Sequence, residues 1–166
     1  PTQLYSGMLP GMLAGHYEAA EGTIDVAPLA ERAGVELILG AASALDASAR
    51  RVRLADGREL GYDLLSLDIG STPDLDGIRG AREHGLFVRP LADFAQRLGA
   101  RLQRTPSGRA LVVVGGGAAG FELALALRWR MRCPVVLVSG AAGPLAGYPP
   151  GVRRLGDHTL TRWRAP

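Results

Sequence analysis

Six consecutive residues, Gly115-Gly116-Gly117-Ala118-Ala119-Gly120, carry the clearest chemistry in the chain as a G-x-G-x-x-G turn. In a turn of this type Gly115 permits a tight reversal, and Gly117 lets a pyrophosphate come up against bare backbone. Gly120 lets the following helix sit close to the preceding strand. A helix beginning here directs unpaired amide N–H groups and its positive dipole end toward an anion. Glycine-rich loops are common, so the flanks decide the reading. Leu111-Val112-Val113-Val114 precedes the turn, a helix is expected over about 119–130, and Val135-Val136-Leu137-Val138 follows. Strand, turn, helix and strand are the context that a dinucleotide fingerprint requires. The continuous apolar runs predict a parallel β-α-β unit with strands buried on both faces.

One partner of that fingerprint is missing. An acidic residue at the end of the second strand normally holds the ribose hydroxyls. Here the position is Ser139-Gly140, and no Asp or Glu occurs between Glu122 and Asp157. Ser139 offers the ribose only a hydroxyl. No arginine follows closely enough to grip a 2′-phosphate, since Arg153 is well past the strand, so NAD against NADP stays open.

Other constellations fail. His16, His84 and His158 sit far apart without metal-ligand spacing, so no metal is expected. No G-x-S-x-G marks a serine nucleophile. Cys133 is the one cysteine, which excludes an intramolecular disulfide and a C-x-x-C pair. It reads as a small buried apolar residue, and the lack of disulfides points to a cytoplasmic location. No apolar run approaches the roughly 18 residues that span a membrane. The chain starts Pro1-Thr2-Gln3-Leu4-Tyr5, without Met or a signal pattern, and reads as one that begins mid-protein.

All 19 basic residues are arginine, against 16 acidic ones, for a net charge of +3. They are spread along the chain, apart from Arg128, Arg130 and Arg132 and the pair Arg153 and Arg154. A nucleic-acid binder gathers its charge into a stripe, so no nucleic-acid partner is expected.

The elements that must position the turn follow from pattern. Residues 1–22 read as a loop, and a short helix is expected over about 27–33 with Gly34 at its end. Val35-Glu36-Leu37-Ile38-Leu39, Arg51-Val52-Arg53-Leu54 and Tyr62-Asp63-Leu64-Leu65-Ser66-Leu67 read as strands. Asp56-Gly57 is a hairpin turn signal. Residues 74–90 form a connection, and Leu91 to Leu102 has the apolar spacing of a helix with one buried face. Thr105-Pro106-Ser107-Gly108 is the natural boundary between two units. The fold class is α/β.

Taken together, Val52-Arg53-Leu54-Ala55-Asp56-Gly57, Tyr62-Asp63-Leu64-Leu65, Gly70-Ser71-Thr72-Pro73 and the Leu111 to Glu122 segment form an ordered set. In that order the sequence resembles the pyridine nucleotide–disulfide oxidoreductase superfamily, near its NADH dehydrogenase-like branch. Tyr5-Ser6-Gly7-Met8-Leu9-Pro10-Gly11 resembles the loop that approaches the flavin there. The resemblance implies a partial FAD/NAD(P)-binding Rossmann-like fold. Residues 1–105 would be a β-hairpin and strand remnant of the FAD-binding domain with its linker, and 106–166 the first β-α-β of the NAD(P)H-binding domain. It implies FAD and NAD(P)H as cofactors, with hydride passing from nicotinamide to flavin and on to an acceptor such as a quinone.

The resemblance also sets Glu122 near the nicotinamide, although a glutamate favoured by the helix dipole explains it equally. Gly70 is a further cofactor-binding candidate. The family's Ala-Thr-Gly is Asp68-Ile69-Gly70 here, and Asp68 reads as a strand-end carboxylate bonded to a turn. Cys133 lies in no C-x-x-x-x-C, which favours direct hydride transfer over disulfide reduction. The FAD motif and the C-terminal part of the family are not found, so a fragment that self-associates through exposed sheet is expected. A non-catalytic nucleotide-binding module is the alternative.

Overall fold

The computed structural model describes residues 1–91, 93–104, 108–131 and 133–163, with described side chains ending at 157. The chain divides into two compact units, Pro1–Thr2 with Asp25–Glu83, and Gln3–Ile24 with His84–Pro166. Strands β1 (Thr2–Leu4) and β2 (Thr23–Asp25) form a two-stranded sheet through which the chain passes from one unit to the other. The expected boundary turn at Thr105-Pro106-Ser107 lies outside the described residues.

In the first unit, helix α2 (Val26–Ala33) starts where the Asp25 carboxylate accepts the Ala27 N–H and ends at Gly34, φ 65°. The cap satisfies an amide that has no helical partner, and glycine takes the left-handed exit without steric cost. Three antiparallel strands follow in the order β3 (Ala42–Asp46), β4 (Arg51–Leu54), β5 (Glu59–Gly61). Gly57 takes φ 89° in the β4–β5 turn, as the Asp56-Gly57 signal requires.

Two expected strands are absent here. Residues 35–39 and 62–67 are irregular, with Val35, Leu39, Leu64 and Leu67 exposed. An apolar run becomes a strand only where a neighbour completes its hydrogen-bond ladder. Gly61 pairs with Arg51 and the Tyr62 N–H still donates to the Arg50 carbonyl at 3.1 Å, but Arg50 turns at φ 51° and the ladder ends there. The strand that does form, β3, has all five residues exposed, and no apolar alternation announces it.

Ionic contacts tie the hairpin across its face. Glu59 accepts from Arg53 at 3.0 Å and from Arg51 at 3.2 Å, while Arg58 holds Asp56 at 2.7 Å. The Arg53 and Arg51 hydrogen bonds hold the Glu59 carboxyl below its ordinary value, and Arg58 does the same to Asp56.

The second unit contains the core. Residues 1–22, expected as a loop, include a 3₁₀ turn (Ser6–Met8) and helix α1 (Leu9–Ala14). Pro10 falls in the first helical turn, where its missing N–H has no partner to lose, and Gly15 ends the helix at φ 83°. A four-residue helix, α3 (Ala81–His84), interrupts the expected connection. Helix α4 (Phe94–Gln103) begins later than the expected Leu91, whose carbonyl instead accepts the Phe94 N–H at 3.1 Å. Strand β6 (Leu111–Val114), helix α5 (Ala118–Arg130) and strand β7 (Val135–Val138) form the expected unit, with β6 and β7 parallel and in register. Helix α6 (Pro150–Trp163) closes the described chain.

Leu9 and Leu13 of α1, Phe94 and Leu98 of α4, and Leu123 and Leu127 of α5 pack as one buried cluster. Each pair is four residues apart, hence on one helical face. Leu111, Val113 and Val135 pack against this cluster from the sheet. The opposite sheet face is not buried as expected: Val112, Val114, Val136 and Val138 are 59%, 64%, 47% and 44% exposed. Alternation along a strand sends successive side chains to opposite faces, and the packed helices cover one face only.

Helix α5 sits close to β6 because Gly120, in its first turn, has no side chain. A β-carbon there would run into the Gly115 carbonyl. Gly120→Ala is therefore expected to destabilise this unit by about 1–3 kcal/mol. Chemical denaturation reads this directly, and an unchanged midpoint would show that strand and helix tolerate a wider separation.

A second expectation concerns acid. With a lowered folded value, Glu59 releases its proton at lower pH in the hairpin than in the unfolded chain. Its contribution is complete above the ordinary 4.5 and is lost as pH falls through the lowered value. The Glu59 carboxyl should titrate by NMR below 4.5, and in Arg53→Ala its midpoint should move up toward 4.5. Identical midpoints in the two proteins would remove the ion pair as the cause.

Candidate functional site

At the C-terminal end of β6 the chain reverses through Gly115, whose φ of 127° is accessible without strain only to glycine. The Gly115 N–H donates to the Val138 carbonyl at 2.9 Å, which ties the turn to the end of β7. Gly116 packs so closely on Ser139 that a β-carbon would lie 2.5 Å from the serine's own. Gly117 is the N-cap of α5 and supplies no capping side chain. The amides of Ala118, Ala119 and Gly120 have no intrahelical acceptor at that end. A β-carbon on Gly117 would meet nothing within 4 Å. The three glycines thus do different work: conformation at Gly115, packing at Gly120 and open approach at Gly117.

The loop after β7 forms the facing wall. The Leu145 N–H donates to the Gly116 carbonyl at 2.7 Å, and the Tyr148 N–H to the Leu145 carbonyl at 2.9 Å. Leu145 is 6% exposed and adopts φ 56°, a conformation that costs a non-glycine residue about 1–2 kcal/mol. Burying its side chain, worth about 1.5–3 kcal/mol, offsets that strain. Between turn and loop lies a cavity of about 290 Å³ lined by Gly116, Gly117, Gly140, Ala142, Gly143, Leu145, Ala146, Gly147 and Tyr148.

The structure therefore brings Gly115 through Gly120 and Ser139 together. Glu122 is exposed on α5 and does not line this cavity. Gly70 belongs to the other unit, in an irregular segment with φ 69°. Asp68 ends no strand, because 62–67 forms none. Cys133 is half-buried rather than buried. Pattern reasoning did not reach Leu145 or Tyr148, for their roles come from a loop conformation with no periodic signal.

His16 stacks at a tilt on Trp129, with ring centroids 6.0 Å apart, and the His158 side chain lies outside the described residues. Among the described residues no three His, Cys, Asp or Glu side chains come together as a metal site, and no helix is long and apolar enough to cross a membrane.

Comparison with known proteins fits this geometry. The p-cumate 2,3-dioxygenase system ferredoxin–NAD(+) reductase component of Pseudomonas putida is 40% identical over 99 residues, covering 58% of this chain and 23% of that protein. The large subunit of the nitrite reductase [NAD(P)H] of Klebsiella oxytoca is 38% identical over 96 residues, covering 57% of this chain and 10% of that protein. A solved ferredoxin reductase of Rhodopseudomonas palustris shares the fold with a TM-score of 0.69 at 21% identity, covering 98% of this chain and 39% of the other. The chain thus spans 23% or less of these two curated relatives. The family model for pyridine nucleotide-disulphide oxidoreductases matches residues 1–162, and the chain belongs to that family.

Proposed function

We propose that this chain is part of a flavin-dependent oxidoreductase that passes a hydride from NAD(P)H to FAD and on to an acceptor. The observation that carries the reading is the uncapped start of α5 at Gly117, open on the side where no β-carbon contact exists and adjoining the 290 Å³ cavity. Residues 106–166 would contribute to the NAD(P)H-binding domain, and 1–105 to the FAD-binding domain and linker. The Ala118, Ala119 and Gly120 amides would hold the pyrophosphate, and the Ser139 hydroxyl would bond the ribose. Glu122 is the candidate for contact with the reacting end of the nucleotide, and Gly70 for contact with FAD.

When bound, the two cofactors supply the hydride chemistry, while the protein orients them and excludes competing reactions. The pyridine nucleotide fits the residues present. In the first unit the only helix of eight or more residues, α2, has its Ala27 N–H on the Asp25 carboxylate, its Val26 N–H on the Pro1 carbonyl and no N–H at Pro28, so no comparable diphosphate cradle occurs among its described residues. The relatives are a ferredoxin–NAD(+) reductase component and a nitrite reductase [NAD(P)H] subunit, so the nucleotide half is what they share. The acceptor is proposed as a class, a quinone or a protein electron carrier. A cytoplasmic setting accords with the free thiol of Cys133. Self-association through the exposed valines of β6 and β7 should appear as a sedimentation coefficient that rises with concentration; a constant value would exclude it.

Gly117→Val tests the reading. The valine would fill the open approach without touching the core, so circular dichroism should be unchanged. Affinity for NADH or NADPH by calorimetry should fall at least about tenfold, or about 1.4 kcal/mol. Equal affinity in both proteins would make the turn purely structural.

A further inference from the structure

Ala142 and Gly143 are walls of two cavities at once. One is the cavity against the glycine turn. The other, also about 290 Å³, is completed by Pro144, Pro150, Arg153, Arg154 and Asp157. Arg153 and Arg154 lie far beyond β7 in sequence, but the 140–148 loop folds back on Gly116 and α6 starts at Pro150. That path carries both arginines to the lining next to the turn. Both are exposed, and neither guanidinium has a hydrogen bond or ion pair among the described residues. Two guanidinium groups against the one Asp157 carboxylate leave this lining net positive.

NADH and NADPH differ by one phosphate on the 2′-oxygen of the adenosine ribose. Selection of NADH uses a carboxylate at the end of the second strand, which accepts from the 2′-hydroxyl and repels a phosphate there. Here β7 is followed by Ser139 and Gly140, so that repulsion is absent. Arginine's planar donor fork matches phosphate oxygens in pairs and remains charged at any working pH. We infer that Arg153 and Arg154 bind the 2′-phosphate of NADPH and give this chain a preference for NADPH over NADH. The inference rests on the reading of the Gly115–Gly120 turn as the dinucleotide site, and it names the substrate class of that site.

The test is calorimetry on the full chain with NADPH, NADH, and the pair adenosine 2′,5′-bisphosphate and adenosine 5′-monophosphate. NADPH should bind about tenfold or more tighter than NADH, and the bisphosphate should exceed the monophosphate by a similar factor. The NADPH advantage should shrink as salt is raised, because the two arginines are exposed. In Arg153→Ser/Arg154→Ser, NADPH affinity should fall to that of NADH while NADH affinity stays put. Both side chains are solvent-facing, and circular dichroism checks that the variant folds; the single variants R153S and R154S should each give part of the loss. Equal binding of the two dinucleotides by the unaltered chain overturns the inference and leaves the dinucleotide reading standing. An NADPH preference that survives the double substitution overturns it too. Binding of neither dinucleotide overturns both.

Discussion

Helix α5 approaches the end of β6 at Gly120 with no space for a side chain, since a β-carbon there would overlap the Gly115 carbonyl. Much of the second unit depends on that approach. It sets α5 against β6, β7 and α1, where Leu123 and Leu127 join the buried cluster. Each leucine buried in this way contributes about 1.5–3 kcal/mol, so the missing side chain at one position secures packing at several. The same approach aims the start of α5, uncapped at Gly117, outward from the sheet's end. Packing and the open helix start therefore share one geometric origin, yet they separate by residue. Gly120 answers to packing and Gly117 to open space.

A second constraint turns the open helix end into a bounded site. The 140–148 loop is tied to the turn by the Leu145 N–H on the Gly116 carbonyl. A β-carbon on Gly156 of α6 would lie 2.8 Å from Leu145, so that helix, too, closes around this side chain. The buried leucine thus anchors a wall of small residues, including Gly140, Gly143 and Gly147, whose missing side chains leave the cavity room. The same fold-back positions the start of α6, and with it the arginine pair.

The sheet is unequal on its two faces. Leu111, Val113 and Val135 meet the helices, while Val112, Val114, Val136 and Val138 face outward. Parallel strands are ordinarily covered on both sides, and four outward valines in matched register form one contiguous apolar surface. In the other unit the hairpin depends less on burial. Of its strand residues only Leu54 is buried, and exposed Arg–Glu contacts across β4 and β5 supply part of the pairing.

The sequence by itself determined the β6-turn-α5-β7 unit, because apolar runs and glycine spacing are local signals and each element's partner is its neighbour along the chain. It likewise determined α2, with Gly34 at its end, and the Asp56-Gly57 turn. It misjudged residues 35–39 and 62–67, whose apolar composition suits a strand but beside which no continuous ladder forms. It did not reach α1, because Gly and Pro suggest a loop unless Leu9 and Leu13 have a core to enter. The reversal at Gly115 and the open helix start at Gly117 were legible from the residues alone. The facing wall, the left-handed Leu145 and the nearness of Arg153 and Arg154 to the turn's cavity were decided only by tertiary structure. Loop closure between residues distant in sequence leaves no periodicity to read, and only the fold brings such groups together.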